Sequence, residues 1–166
     1  WALKFRVTGE TESIIDAQDL WREIAQAAWE CGDPGVQFHD TVNYWNPCKN
    51  DGEIIATNPC GEYNWFDNTV CNLGSINLLR FYDEETGLID FEGLAETAKL
   101  ATVAMDILVD LSSYPTKKIE ETSKQYRTLG IGFTNLGALI MSKGLPYDSE
   151  EGRAIATELA AIIHFA

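Results

Sequence analysis

Three side chains with different chemistry stand at every second residue of one short run. Asn58, Cys60 and Glu62 carry an amide, a thiol and a carboxylate, and Pro59 and Gly61 separate them. The amide donates and accepts hydrogen bonds, the carboxylate accepts a proton, and the thiol acts as nucleophile, hydrogen donor or radical carrier. In extended backbone every second side chain projects to one side, so the pattern predicts that the three converge on one ligand.

The same run also has a purely structural interpretation. Pro59 stiffens the backbone, and Gly61 lets another group approach closely. A proline- and glycine-containing loop with an incidental buried cysteine and a capping asparagine would have the same pattern. Short motifs of this kind often occur by chance, so spacing alone favours the structural interpretation.

The run lies inside a long segment without regular periodicity. Residues 43–71 contain Asn, Pro, Gly, several aromatics and three of the four cysteines, which predicts an ordered loop region of the kind that usually carries function. Before it, residues 16–30 predict an amphipathic helix that begins at Asp16, and residues 36–38 predict a short strand. The apolar face of this helix comprises Leu20, Ile24, Ala27 and Ala28.

Strands and helices alternate after the loop. The predicted elements are a strand over 75–81, helices over 91–112 and 117–125, a strand over 129–133, a helix over 134–143 and a last helix from Ser149. The longest helix is indicated by apolar residues that recur at three- and four-residue steps after a predicted N-cap at Asp90, namely Leu94, Ala98, Ala101, Met105, Leu108 and Leu111. This alternation predicts an α/β fold with a mostly parallel sheet and no domain boundary.

Composition limits the classes of partner. The 166 residues are 45% hydrophobic and carry a net charge of −14, so nucleic acid is not an expected partner, because its phosphates would be repelled. A mononucleotide needs only a local pocket and stays possible. No apolar run reaches membrane-spanning length and no leader pattern opens the chain, so we expect a cytoplasmic protein without a membrane partner.

The four cysteines do not form a metal-binding pattern. No C-x-x-C occurs, and the two histidines are not at ligand-like spacing, so no metal site is predicted. Cys31 and Cys48 are interpreted as packing thiols and His39 as a structural histidine. Gly130-x-Gly132 lacks the full dinucleotide fingerprint and is interpreted as close strand–helix packing.

Several motifs, taken together, resemble ribonucleotide reductases. Residues 56–62 (ATNPCGE) and 71–78 (CNLGSINL) are similar to the active-site finger loop and following strand of that family. Residues 29–35, 127–137 and 146–149 resemble flanking segments of the family in the same order. The resemblance covers nearly the whole chain, and the sequence is identified as part of a reductase catalytic subunit.

The resemblance implies a fold and an activity. Residues 1–166 would be part of a ten-stranded α/β barrel with a central finger loop at about 46–71, which reduces ribonucleotides to 2′-deoxyribonucleotides. Cys60 would be the thiyl radical that removes the 3′ hydrogen, Glu62 would take the 3′-hydroxyl proton, and Asn58 would hold the ribose hydroxyls. Cys71 would belong to a redox pair whose other cysteine lies upstream in the family, before this chain begins.

The resemblance also implies cofactors and partners. The short interval from Cys60 to Cys71 and the Asn-Pro-Cys-Gly-Glu run look most like the adenosylcobalamin-dependent class, although no residue here is assigned to the cofactor. The alternative is the class in which a metal-containing small subunit supplies the radical. Expected partners are a ribonucleoside di- or triphosphate, the remaining reductase chain and a thioredoxin-like reductant. Two other interpretations stay open, a non-catalytic structural or assembly remnant and a glycyl-radical relative. We expect no turnover by the isolated 166 residues.

Overall fold

Two compact units make up the chain. The computed structural model describes all 166 residues, and they divide into residues 1–67 and residues 68–166. The first unit contains two antiparallel strand pairs, and the second contains one parallel pair with helices. The prediction of an α/β fold is therefore confirmed, but the prediction that its strands are mostly parallel is wrong, because two of the three strand pairs are antiparallel. None of the helices is both long enough and apolar enough to cross a membrane.

The first unit has short strands and two helices. Its elements are β1 (Ala2–Lys4), β2 (Thr11–Ile14), α1 (Ala17–Cys31), α2 (His39–Tyr44), β3 (Ala56–Thr57) and β4 (Asn64–Trp65). The β1–β2 hairpin was not predicted. Every residue of both strands is exposed, so their sequences lack the apolar–polar alternation that reveals a half-buried strand.

The limits of helix α1 agree with the prediction to within one residue at each end. Asp16 caps it by accepting hydrogen bonds from the backbone N–H groups of Gln18 and Asp19, and Gly32 ends it in left-handed conformation with φ 81°. The four predicted apolar residues of this helix are half-buried. The strand predicted at residues 36–38 is wrong, because this exposed stretch makes no strand pairing and leads irregularly into α2.

Two asparagines organise the loop that leads to β3. The side chain of Asn43 donates to the carbonyl of Ile54 and accepts from its N–H, both at 2.9 Å. The side chain of Asn46, which is buried, donates to the carbonyl of Gly52 at 3.0 Å and accepts from the N–H of Cys48 at 2.9 Å. These amides replace the backbone partners that a strand or helix would supply, so the loop is ordered without regular structure.

The second unit contains the larger core. Its elements are β5 (Asn72–Asn77), a 3₁₀ turn (Leu78–Phe81), α3 (Phe91–Leu111), α4 (Lys117–Tyr126), β6 (Leu129–Thr134), α5 (Leu136–Ser142) and α6 (Glu150–Phe165). Strand β5 begins and ends earlier than predicted. Its end has a local cause, since the side chain of Asn77 accepts from the N–H of Leu79 and caps the 3₁₀ turn.

Strands β5 and β6 run parallel, in register from Asn72 beside Leu129 to Asn77 beside Thr134. The core beside them comprises Ile76, Leu78, Leu94, Ala98, Leu139 and Leu159. The apolar spacing that predicted α3 does not coincide with burial at its C-terminal end. Leu108 and Leu111 are 48% and 75% exposed, and Val109 is buried in their place.

Candidate active site

A tight turn between β3 and β4 carries Cys60. The N–H of Gly61 donates to the carbonyl of Asn58 at 3.0 Å, and Gly61 has φ +83°. Asn58 and Tyr63 close the loop, because the Asn58 N–H donates to the Tyr63 carbonyl at 3.3 Å and the Tyr63 N–H donates to Asn58 Oδ1 at 3.0 Å. The backbone from 58 to 61 is therefore folded on itself, and the extended geometry expected from the sequence is wrong.

The turn nevertheless brings two of the predicted side chains together. Asn58 Nδ2 donates to Glu62 Oε1 at 2.5 Å, across the base of the turn that carries Cys60. Amide and carboxylate meet because the turn reverses the chain. Asn58 thus uses its oxygen to hold the loop and its nitrogen to hold the carboxylate, so it fixes the position of Glu62.

Cys60 occupies the third position of the four-residue turn and is exposed. An exposed thiol at a turn tip is open to reactants from outside the unit. A radical at this sulfur would need protection from water and other reductants, which residues 1–67 do not provide here. The position fits a reactive thiol that is covered by further structure during reaction.

Two polar residues that the sequence analysis did not single out also contact the turn. Asn64 Nδ2 donates to the carbonyl of Gly61 at 3.2 Å. A Cβ on Gly61 would lie 3.0 Å from Gln37 Nε2, so the Gln37 amide covers the glycine. One signal for Asn64 was available, because it extends the series of functional side chains at 58, 60 and 62 by one further step. Gln37 had no such signal.

A cavity of about 190 Å³ lies next to the loop within the first unit. Gln37, His39, Ile54, Thr57 and Asn64 are among its lining residues. Cys60 and Glu62 do not line it, so this cavity borders the support of the turn and not the reactive side chains themselves.

Cys71 belongs to the second unit, directly before β5, and is half-buried. It borders a cleft of about 250 Å³ whose other lining residues include Val109, Tyr114 and Ser123. A Cβ on Gly130 would lie 3.1 Å from Cys71 Sγ and 2.6 Å from Leu73 Cδ2. The close approach predicted at Gly130 is therefore made between neighbouring strands, and the strand–helix contact expected there is wrong.

The remaining candidates have structural surroundings. The thiol of Cys31 donates to the carbonyl of Ala27 at 3.2 Å, at the end of α1, and Cys48 is half-buried in the loop. His39 is half-exposed beside the carboxylates of Asp40 and Glu53, at 3.5 and 3.8 Å. No group of three or more His, Cys, Asp or Glu side chains is arranged to hold a metal ion.

An ion-pair cluster supports the segment that leads into β6. Arg127 donates from Nε to Asp106 Oδ1 at 2.8 Å and from Nη1 to Asp110 Oδ1 at 2.9 Å. These hydrogen bonds from the guanidinium hold the pKa of Asp106 and of Asp110 below the ordinary range, and they raise the pKa of Arg127. This two-pronged contact of the Arg127 guanidinium with Asp106 and Asp110, the Arg127 fork, links α3 to Arg127, which ends α4 in left-handed conformation with φ 52°.

Comparison with known proteins places these features in a family. The family model described as ribonucleotide reductase, barrel domain, matches residues 4–166 and so runs through both units. The vitamin B12-dependent ribonucleotide reductase of Bradyrhizobium diazoefficiens is 45% identical over 163 residues, which cover 98% of this chain and 13% of that protein. The corresponding enzyme of Streptomyces clavuligerus is 45% identical over 166 residues, covering 98% of this chain and 17% of that protein.

A third relative has a name that is more explicit about substrate. The vitamin B12-dependent ribonucleoside-diphosphate reductase of Mycobacterium tuberculosis H37Rv is 41% identical over 152 residues, covering 92% of this chain and 21% of that protein. The chain thus spans between 13% and 21% of the length of these three relatives.

Proposed function

The chain belongs to the ribonucleotide reductase family, as part of its barrel domain, and we propose that it provides the radical-bearing loop of a catalytic subunit that makes 2′-deoxyribonucleotides. Residues 1–166 would form part of a ten-stranded α/β barrel, with residues of about 46–71 as its central finger loop. The strand pair β5–β6 is parallel, as neighbouring strands of such a barrel can be. The remaining barrel strands would come from the rest of the reductase chain.

The observation that carries this proposal is the Asn58–Glu62 hydrogen bond across the turn that holds Cys60. It brings together a proton acceptor, Glu62, and an amide that can bind hydroxyls, Asn58, at the base of the turn whose tip carries the Cys60 thiol. A sulfur radical on Cys60 would take the hydrogen atom from C3′ of the ribose, and Glu62 would accept the proton of the 3′-hydroxyl. Asn58 would bind the ribose hydroxyls, and removal of the 3′-hydroxyl proton would make loss of the 2′-hydroxyl as water easier.

Cys71 would supply reducing equivalents. In the net reaction one ribonucleotide and two thiols give one 2′-deoxyribonucleotide, one disulfide and one water, so the two electrons come from the thiols. Cys71 would be one of these thiols, and the second would come from outside residues 1–166. Its half-buried position beside a cleft supports this role, because disulfide exchange requires that another sulfur can reach it. A thioredoxin-like dithiol protein would then restore the pair.

Adenosylcobalamin is the proposed cofactor, in line with the vitamin B12-dependent names of the relatives. The exposure of Cys60 fits this group, because a bulky cofactor needs an accessible thiol. When bound, the cofactor supplies the oxidising radical that removes the hydrogen atom from the Cys60 thiol. Within this chain Cys60 is the residue that would face it. The alternative, a metal-containing small subunit as radical source, lacks such a correspondence in the names of these relatives.

The proposed substrate is a ribonucleoside di- or triphosphate, and the proposed location is the cytoplasm, where nucleotides and thiol reductants occur together. The isolated chain should not turn over, because the second redox thiol is not among the assigned residues. A non-catalytic remnant would keep the same fold, so turnover measurements must separate the two.

The test is Cys60→Ser in a reductase polypeptide that includes residues 1–166. Deoxyribonucleotide formation should fall to background while the circular dichroism spectrum and thermal midpoint stay unchanged. Cys31→Ser is the matched control, because it removes another exposed thiol of the same unit and should leave turnover intact. Unchanged turnover in Cys60→Ser would support the non-catalytic interpretation.

A further inference from the structure

The two peptide groups on either side of Gly61 are each held by a hydrogen bond. The N–H of Gly61, in the peptide group shared with Cys60, donates to the Asn58 carbonyl at 3.0 Å, and the carbonyl of Gly61, in the peptide group shared with Glu62, accepts from Asn64 Nδ2 at 3.2 Å. The first bond limits rotation on the C-terminal side of Cys60, and the second limits rotation at Gly61. These two bonds fix the backbone on both sides of Gly61, directly after Cys60.

Asn64 is itself well placed to act as a fixed donor. It lies on β4, in register with Thr57 on β3, and is half-buried. Its Oδ1 is inaccessible to solvent and makes no hydrogen bond, so the amide nitrogen carries the whole interaction. Turning the amide around would place its oxygen against the Gly61 carbonyl, and two acceptors repel each other. The strand pairing and the amide orientation together aim one donor at one carbonyl.

We infer that Asn64 is a positioning residue for Cys60, acting through the carbonyl of Gly61. The inference rests on the proposed function, in which the Cys60 sulfur must meet one particular hydrogen of the ribose. Hydrogen transfer requires reacting atoms about 3–3.5 Å apart, and a displacement of about 1 Å can cost roughly 100-fold in rate. Without the Asn64 donor, Gly61 is free to rotate and the sulfur loses its fixed direction. The proposed function gives Asn64 no contact with the substrate, so we expect the effect in the chemical step.

The test compares Asn64→Leu, Asn64→Asp and Asn64→Gln in a reductase polypeptide that includes residues 1–166. Leu and Asp have similar size to Asn and lack the N–H donor, whereas Gln keeps it. We expect Leu and Asp to lower kcat by about 10- to 100-fold with KM within about twofold, and Gln to recover part of kcat. With a ribonucleotide deuterated at C3′, the isotope effect on kcat should rise in Leu and Asp, because hydrogen abstraction then limits the rate.

Asn43→Leu is the control for general loss of stability. It removes side-chain hydrogen bonds to Ile54 from the same unit without touching the turn. It should lower the thermal midpoint and leave the isotope effect unchanged. If Asn43→Leu reproduces the kinetic changes of Asn64→Leu, Asn64 acts through stability and the inference is overturned.

Wild-type kcat and isotope effect in a folded Asn64→Leu would also overturn it, as would normal kcat in Asn64→Asp. Should Asn64→Leu not fold, the Asp and Gln variants decide the question, since they differ in the donor. Cys60→Ser keeps this result apart from the proposed function. If Cys60→Ser is inactive and the Asn64 variants behave like wild type, only the positioning role of Asn64 is rejected. If Cys60→Ser is active, the proposed function itself is rejected.

Discussion

Asn58 Nδ2 and Glu62 Oε1 lie 2.5 Å apart, at the two sides of the turn that presents Cys60. The same asparagine accepts from the Tyr63 N–H through its oxygen, so one side chain orders both the backbone and the carboxylate. In the proposed function, a ribose hydroxyl bound by Glu62 would therefore also lie beside Asn58. Because Asn58 holds Glu62 in place, the carboxylate is best tested by a substitution at Glu62 that keeps this hydrogen bond.

Glu62→Gln should remove proton acceptance and keep the geometry, because Gln Oε1 can still accept from Asn58. We expect turnover to fall by about 10²- to 10⁴-fold, the usual contribution of a general base, with the thermal midpoint unchanged. Deoxyribonucleotide formation under saturating substrate is the measurement. Glu53→Gln, which alters another exposed carboxylate of the same unit, serves as control. Near-normal turnover in Glu62→Gln would remove Glu62 from the proposed mechanism.

Gly61→Ala should weaken the turn mainly through the backbone. The φ of +83° disfavours any side chain with a Cβ, at a cost of roughly 1–2 kcal/mol. The added Cβ would also lie 3.0 Å from Gln37 Nε2, but Gln37 is exposed and its side chain can move. Turnover should therefore fall in Gly61→Ala, and adding Gln37→Ala should not restore it. Urea unfolding together with turnover measures both effects.

Gly35→Ala is the matched control for that substitution. Gly35 is in the same unit, has no positive φ, and a Cβ there would meet nothing within 4 Å. Its substitution should leave stability and turnover unchanged. If Gly61→Ala behaves like Gly35→Ala, the conformation of the Cys60 turn is not important for activity. If the Gln37→Ala double variant recovers turnover, the steric contact outweighs the backbone strain.

The regular elements could be read from the sequence where local signals are strong. Helices begin where predicted at Asp16, Asp90 and Ser149, because each of these side chains caps backbone groups two or three residues away. The sequence located the segment that carries Cys60 but did not predict its turn conformation. The form of the turn depends on the side chains of Asn58 and Asn64, which bond to backbone groups of the turn, and such bonds leave no periodic pattern.

Burial was harder to predict where an element ends. Leu108 and Leu111 of α3 continue the apolar spacing, yet both are exposed. Periodicity shows which residues share a face, whereas burial depends on which elements cover that face. The redox role of Cys71 stays a prediction, because its partner thiol is not assigned in this chain.

The Arg127 fork should make the stability of the second unit depend on acid pH. The pKa of Asp106 and of Asp110 is lowered by hydrogen bonds from Arg127, so the folded state binds fewer protons than the unfolded state. The resulting stabilisation is complete above the ordinary carboxyl pKa of about 3.9 and is lost as pH falls through the lower folded values. Arg127→Met should thus lower the thermal midpoint near neutrality, and the difference from wild type should shrink below about pH 4.

Thermal unfolding at several pH values measures that difference. Arg22→Met is the control, because the Arg22–Asp19 pair is an exposed contact within one helix, with side chains 71% and 69% exposed. It should change the midpoint little at any pH. A constant difference between wild type and Arg127→Met from pH 7 to pH 2 would show that Arg127 acts by packing and not through its charge.

Gly130→Ala should disturb Cys71 where Gly132→Ala does not. Both glycines lie on β6, but a Cβ on Gly130 would meet Leu73 Cδ2 at 2.6 Å and Cys71 Sγ at 3.1 Å, whereas one on Gly132 would meet only Ser75 Oγ at 3.9 Å. Leu73 is 67% exposed and can rotate away, so the lasting strain falls on the sulfur. We expect Gly130→Ala to cost about 1–3 kcal/mol in stability, as overpacking usually does, and Gly132→Ala to be near neutral.

The kinetic consequence follows from the proposed role of Cys71. Because Cys71 would be one of the two thiols oxidised in each turnover, a displaced sulfur should slow the first turnover of the pre-reduced protein as well as the steady-state rate of Gly130→Ala. Rapid-quench measurement of the first turnover, followed by the steady-state rate, separates the two phases. Wild-type rates in both phases would show that the contact of Gly130 with Cys71 has no effect on turnover, and equal behaviour of Gly130→Ala and Gly132→Ala would exclude a specific effect on Cys71.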